Sequence, residues 1–147
     1  MNSVQSQFPH SEWAYSDQDR AAYAELRARL ERVAKSKRTV TYSDLVAGVQ
    51  FNIGTVNDGQ PYSIDVHDWT PLDRSILGDF LGALAEESYR SGGYLASALA
   101  VGAMEKQPTE PFFKWSKELG LLTDNSEQGR LAFWIEHLNK AYADYGA

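Results

Sequence analysis

The sequence predicts an α+β domain, and three observations carry that prediction. Apolar residues step by three and four through residues 17–36 and again through 126–145, the period of a helix with one buried face. Thr70-Pro71-Leu72-Asp73 reads as a strong helix start in mid-chain: a capping hydroxyl, a proline at the first helical position, and an acid three residues after the cap. Between these helices, β-favouring runs flank Asn57-Asp58-Gly59, which is the pattern of a hairpin turn.

Residues 1–15 lack periodicity and read as a loose arm, with Trp13 and Tyr15 able to dock it; residues 16–147 read as one domain. Ser16 is the expected N-cap of the first helix, and Asp17 and Asp19 favour its positive end. Tyr23, Leu26, Leu30 and Val33 form its apolar stripe. Thr39 to Tyr42 favours a short strand or an extended entry. Ser43 is the expected cap of a short helix from Asp44 to Val49, and Gln50 to Val66 is the hairpin. The Thr70 helix should run to about Ser91 and stop at Gly92-Gly93.

Leu95 to Val101 is small and apolar and is read as a buried strand, with a buried helical turn as the competing assignment. A helix over 111–119 ends at Gly120. The last helix places Leu131, Trp134, Ile135, Leu138, Tyr142 and Tyr145 on its apolar stripe.

The middle helix is the most informative element. Ile76, Leu77, Phe80, Leu81 and Leu84 cover one broad face, while Ser75, Gly78, Gly82 and Ala85 gather on another. Asp79, Glu86 and Arg90 form a narrow polar strip between them. Each interior glycine costs roughly 1 kcal/mol relative to alanine. Close approach of a neighbour is the usual compensation, so the helix is expected to be packed on both sides. The alternative is a flat surface approached by a ligand or a nucleic-acid backbone.

The chain has 147 residues, 43% of them hydrophobic and 23% charged, which suits one globular domain. It has no cysteine, which excludes disulfides, a thiol nucleophile and thiolate metal sites. Met1 to His10 has neither the basic region nor the apolar core of a signal peptide. The longest weakly polar run, Leu95 to Met104, is about half the ~20 residues of a membrane span. A cytoplasmic protein without membrane contact is expected.

Net charge is −6, divided as +2 over residues 1–38, −6 over 39–90 and −2 over 91–147. An acidic centre repels phosphate and disfavours nucleic acid there.

A resemblance adds to this reading. Thr39-Val40-Thr41-Tyr42-Ser43-Asp44-Leu45 is followed by Arg74-Ser75-Ile76-Leu77-Gly78-Asp79-Phe80-Leu81 and by Ala96-Ser97-Ala98-Leu99-Ala100-Val101. Then come Pro108, Pro111-Phe112-Phe113, Leu119-Gly120 and Phe133-Trp134. In that order these short motifs, spanning residues 39–134, resemble a set of small uncharacterised bacterial proteins. In those relatives a glycine-rich stretch would precede the paired Phe; here Thr109-Glu110-Pro111 stands in its place, and the 50–68 hairpin looks like an insertion.

More distantly, the run is similar to the C-terminal, winged-helix-like domain of DNA alkyltransferases and alkyltransferase-like proteins. The resemblance implies a winged-helix-like centre, flanked here by an N-terminal helix and a C-terminal helical pair. It does not carry over the activity. The family's Pro-Cys-His-Arg-type site falls near Ala98 to Gly102, where no Cys, His or Arg occurs. The helix that would enter a DNA groove holds Arg74 and Arg90 against Asp73, Asp79, Glu86 and Glu87, the wrong sign for phosphate.

Three candidate sites remain. Phe113 and Phe133 lie aside from the main stripes of their helices, and with His137 and Lys140 they suggest an aromatic surface for a protein partner or a second copy of the chain. This gives the leading expectation, a non-catalytic interaction module with no cofactor. Arg29, Arg32, Lys35, Lys37 and Arg38 form a basic group that could meet nucleic acid or an acidic partner, giving a DNA-binding regulator as the first alternative. Asp65, His67 and Asp68 make the densest polar cluster and could begin a metal site, giving a metal-dependent enzyme as the second. No nucleophile elbow, phosphate loop or dinucleotide fingerprint is present, and no catalytic residue is assigned.

Overall fold

The computed structural model describes residues 13–146. A single 3-10 turn at Ser16–Gln18 leads into α1, Arg20–Lys35. The cap of α1 is Asp19, whose carboxylate accepts from the Ala22 N–H at 3.1 Å; Ser16 instead opens the turn before it. Strand β1, Val40–Thr41, runs straight into α2, Tyr42–Val46. The hydroxyl of Thr41, two residues before the expected Ser43, caps α2 by accepting from the Asp44 N–H at 3.1 Å.

The long helix α3 spans Pro71–Gly92 and starts as its sequence predicts. The Thr70 hydroxyl accepts from the Asp73 N–H at 3.1 Å, and the Asp73 carboxylate accepts from the Thr70 N–H at 2.9 Å. Gly93 ends the helix with φ +75°, a left-handed position that glycine adopts without a side-chain penalty. Helices α4, Glu110–Glu118, and α5, Glu127–Tyr145, complete the chain.

The 50–66 segment differs from the expected hairpin. Phe51 and Tyr62 exchange both backbone hydrogen bonds, at 2.7 and 2.8 Å, and the chain reverses through Asn57, Asp58 and Gly59, all at positive φ. No longer ladder forms, because the intervening backbone is bonded elsewhere. The Asn52 N–H donates to Asp19 at 2.6 Å and the Thr55 N–H to Gln18 at 3.2 Å. Phe51, Ile53, Val56 and Ile64 are all buried, so the segment is an apolar flap sewn to the start of α1.

Both readings of 95–101 find a place. Ala96–Leu99 is a buried 3-10 turn, and Ala100–Val101 forms β2, paired in parallel with β1. Among the described residues the architecture is therefore α+β, dominated by helix, with one two-stranded parallel sheet.

Helix α3 lies between two apolar clusters. Ile76, Leu77, Phe80 and Leu84 join Leu26 and Leu30 of α1, Leu45 and Val46 of α2, and Phe51 of the flap. The rings of Phe51 and Phe80 meet edge to face at 5.3 Å. On its other side, Ala85 joins Leu95, Ala98, Phe112, Phe113 and Leu122. Helix α5 closes over this second cluster and is pinned by polar tips: Trp134 Nε1 donates to the Ala98 carbonyl at 2.8 Å, and the Tyr142 hydroxyl donates to the Arg38 carbonyl at 2.9 Å.

The buried face of α5 departs from the expected stripe. His137 and Ala141 are its buried residues, with Phe133, Trp134, Leu138, Tyr142 and Tyr145 partly covered beside them. Leu131 and Ile135 face outward, at 46% and 43% exposure. The inward face is rotated toward the aromatic residues because Phe112 and Phe113 offer rings for them to pack against.

Candidate functional site: an aromatic cleft over Gly78

The polar strip on α3 serves as a track for the N-terminal segment. Asp79 accepts from the backbone N–H groups of Tyr15 and Ser16 at 3.2 and 2.7 Å. One turn on, the Trp13 indole lies against Gly82. A Cβ at that position would come 2.5 Å from the ring, so only glycine admits it. Trp13 Nε1 donates to Glu86 at 2.7 Å, and Glu86 also pairs with Arg90 at 2.7 Å. Gly82 thus has the close neighbour that its helix cost implies.

Gly78 does not. Among the described residues, none lies within 4 Å of where its Cβ would be. It faces a cleft of about 550 Å³ whose floor is Arg74, Leu77, Gly78 and Leu81 of α3. Thr41, Tyr42, Ser43 and Trp69 form one wall. Gly102, Ala103, Glu105 and Thr109, Phe112 and Trp115 of α4, and Trp13 also line it. The expectation of packing on both sides therefore holds at Gly82 and fails at Gly78.

The walls are held by hydrogen bonds. The Tyr42 hydroxyl accepts from the Thr109 N–H at 3.1 Å, tying the start of α2 to the start of α4. Trp69 Nε1 donates to the Ser43 hydroxyl at 3.3 Å. Trp13 and Trp115 meet edge to face at 6.3 Å. These rings are rigid and half-buried, which limits the entropy a ligand must overcome on binding.

Three lining residues carry polar groups with no partner among the described residues, and one of these groups, the Ser97 hydroxyl oxygen, is occluded. Ser97 is 7% exposed, and its Oγ has no hydrogen-bond partner. Arg74 and Glu105 are exposed, and among the described residues neither forms an ion pair. A concave, mostly apolar site with a few convergent polar groups is the general form of a small-ligand pocket. Its described lining offers hydroxyls on Thr41, Tyr42, Ser43, Ser97 and Thr109 and charged groups on Arg74 and Glu105.

No known family, curated protein or solved structure matches this chain.

The sequence-predicted sites fall elsewhere. Phe113 is covered within the chain, at 2% exposure, and His137 is buried. Phe133 is half-buried, with its ring 6.0 Å from that of Phe112 and 4.4 Å from that of His137. Lys140 alone of that set is exposed, paired to Glu136 at 3.0 Å. The four therefore do not make a surface: three contribute to the packing beneath α5.

His137 Nδ1 accepts from the Leu95 N–H at 3.0 Å. Burial lowers its pKa from 6.5 to about 4, with Glu136 opposing that shift and Lys140 adding to it.

In the basic group, Arg29 donates to the carbonyls of Leu45 and Ala47 at 3.1 and 2.7 Å and to Glu25 at 2.8 Å, so it is a bracket between α1 and α2. Lys35 pairs with Glu31 at 3.3 Å. Arg32, Lys37 and Arg38 are exposed around the end of α1.

Asp65, His67 and Asp68 are all exposed, and the Asp65 carboxylate accepts from the His67 N–H at 2.9 Å to close a turn. Among the described residues no group of three or more His, Cys, Asp or Glu is placed to hold a metal ion, so that cluster is corrected to a loop. Among the same residues no helix is long and apolar enough to cross a membrane. The part of the predicted loose arm before Trp13 lies outside the described residues.

The sequence offered an open face on α3 only as the alternative to packing on both sides, and the cleft's lining residues come from seven separated stretches of chain that no local pattern brings together.

Proposed function

We propose that this protein is a non-catalytic binding module and that its binding surface is the cleft over Gly78, in place of the C-terminal helices. The observation that carries the reading is the bare α3 backbone at Gly78, open to a cleft walled by Trp13, Tyr42, Trp69 and Trp115. A flat backbone floor between rigid rings accepts a flat apolar group. Such a group gains roughly 25 cal/mol for each Å² of apolar surface it removes from water. The helix tolerates glycine there at roughly 1 kcal/mol, a cost that binding explains and internal packing does not.

A winged-helix-like arrangement of the centre belongs to the same proposal. It is supported by the succession of a short helix, α2, and a longer one, α3, beside the β1–β2 pair.

The test is Gly78→Phe, which puts a ring into the open space while leaving the cores untouched. In ¹H–¹⁵N spectra, indole or phenol should shift the amides of Gly78, Ser97 and their neighbours in the wild type and leave the variant unmoved. Shifts that map outside the cleft, or that persist in Gly78→Phe, overturn the reading.

A further inference from the structure

The cleft is joined covalently to a segment of the chain that fits it. Trp13 is a lining residue, and it is also where residues 1–12 meet the described fold. Its place is fixed at three points. The ring lies on Gly82, Nε1 donates to Glu86 at 2.7 Å, and the backbone N–H donates to the Asp17 carboxylate at 3.0 Å. Residues 1–12 are therefore tethered at the cleft.

The composition of that segment suits an aromatic, mostly apolar site. Phe8 is the one Phe, Trp or Tyr among residues 1–12, and Glu12 is the one Asp, Glu, Lys or Arg. A ring at position 8 is thus buried without stripping water from a charged neighbour. Pro9 follows it and biases Phe8 to extended backbone. The reach is sufficient. Five residue steps separate Phe8 from Trp13, which span up to about 17 Å when extended. Gly78 lies one helical turn from Gly82, where the Trp13 ring sits, or about 6 Å along α3. At Gly78 no described atom comes within 4 Å of a Cβ, so a ring has room there, with Trp69 and Trp115 in the lining to pack against.

We propose, resting on the binding reading above in that the cleft accepts a ring, that its occupant in the absence of ligand is the chain's own segment, with the Phe8 ring on Gly78. An external aromatic ligand binds by displacing Phe8, and its apparent affinity is lowered by the fraction of molecules that are self-occupied. A tether this short gives an effective concentration on the order of millimolar, so at micromolar protein the chain's own Phe8 prevails over that of a second copy.

NMR of the full chain and of Phe8→Ala tests this. With no ligand added, Phe8→Ala should move the Gly78 amide and the indole N–H signals of Trp13, Trp69 and Trp115. The indole N–H of Trp134, which donates to the Ala98 carbonyl outside the cleft, should stay in place, as should the amides of Leu26 and Phe80 in the core. The wild type should show nuclear Overhauser contacts between the Phe8 ring and the Gly78 Hα atoms. Indole should bind Phe8→Ala about tenfold more tightly than wild type, because no tethered ring competes with it.

If the cleft signals and the indole affinity are the same in both proteins, and Gly78→Phe still abolishes indole binding, self-occupancy falls and the binding reading stands. If Phe8→Ala moves the cleft signals but indole and phenol bind neither protein, the cleft serves its own segment alone; the binding reading falls and self-occupancy stands. If the wild-type cleft signals move on dilution from millimolar to micromolar protein, the occupant comes from a second copy and the assignment to the same chain is overturned.

Discussion

The indole of Trp13 rests on Gly82 and donates from Nε1 to Glu86, so one helix turn of α3 fixes both the face and the edge of the ring. The two interior glycines of the same helix are therefore in opposite situations, and alanine should separate them. Gly78→Ala adds a methyl to open space and removes the helix penalty of glycine, so it should stabilise by about 1 kcal/mol in urea unfolding. Gly82→Ala gains the same propensity but drives a methyl into the indole. The net change should be destabilising by about 1 kcal/mol, with a shift in tryptophan emission as Trp13 leaves its site. Equal stabilisation by both substitutions would show that Trp13 is not seated as described.

Asp73 joins the flap to the helix. Its carboxylate caps the Thr70 N–H and accepts from the Tyr62 hydroxyl, and that bond is the main reason the Tyr62 pKa is raised. Asp73 is buried, so Asp73→Ala leaves a tyrosine hydroxyl and a helix-end N–H without their acceptor. The expected loss is about 2–3 kcal/mol, against about 1 kcal/mol for Tyr62→Phe, which removes only one of the two bonds. Together the two substitutions should cost little more than Asp73→Ala alone, since they share one interaction. Strict additivity in chemical denaturation would count against the link.

Phe133 is read here as packing, not as a partner anchor. Its ring rests on Phe112 and on His137, while Leu131, two residues earlier, faces outward. Phe133→Ser should lower stability by about 2 kcal/mol, and Leu131→Ser should stay within about 0.5 kcal/mol of wild type. Sedimentation of the two variants should be alike. A Phe133→Ser protein with wild-type stability and altered association would restore the surface reading.

Local chemistry was legible in the sequence where it was self-contained. The Thr70–Asp73 box, the Gly93 stop and the positive-φ turn at 57–59 depend on residues a few positions apart, and each forms where the sequence placed it. The hairpin strands shrank because Asp19 and Gln18, more than thirty residues away, took the N–H groups of Asn52 and Thr55. The face of α5 was misplaced for a similar reason. A helical wheel ranks Leu131 and Ile135 by hydropathy, whereas the packed face is chosen by which partner is present, here the paired Phe112 and Phe113. An open face on α3 was legible as an alternative from its two glycines, but which glycine it concerned was not, since Gly78 and Gly82 look alike until Trp13 is placed on one of them.

His137 offers the sharpest solution test because its environment is closed. It is buried, accepts from the Leu95 N–H through Nδ1, and has its pKa lowered from 6.5 to about 4, first by desolvation. Between those two values the unfolded chain binds a proton that the folded chain refuses. Stability therefore rises with pH through this window: the contribution is fully present above pH 6.5 and is lost as pH falls toward 4. At about 1.4 kcal/mol per pKa unit, the full loss is on the order of 3 kcal/mol. His137→Asn keeps an acceptor for Leu95 and cannot titrate. Its stability at neutral pH should be lower through lost contact with Phe133, but its stability curve between pH 6.5 and 4 should be flatter than that of wild type by the same order of magnitude. Parallel curves for the two proteins would mean that His137 is protonated without opening the interface beneath α5.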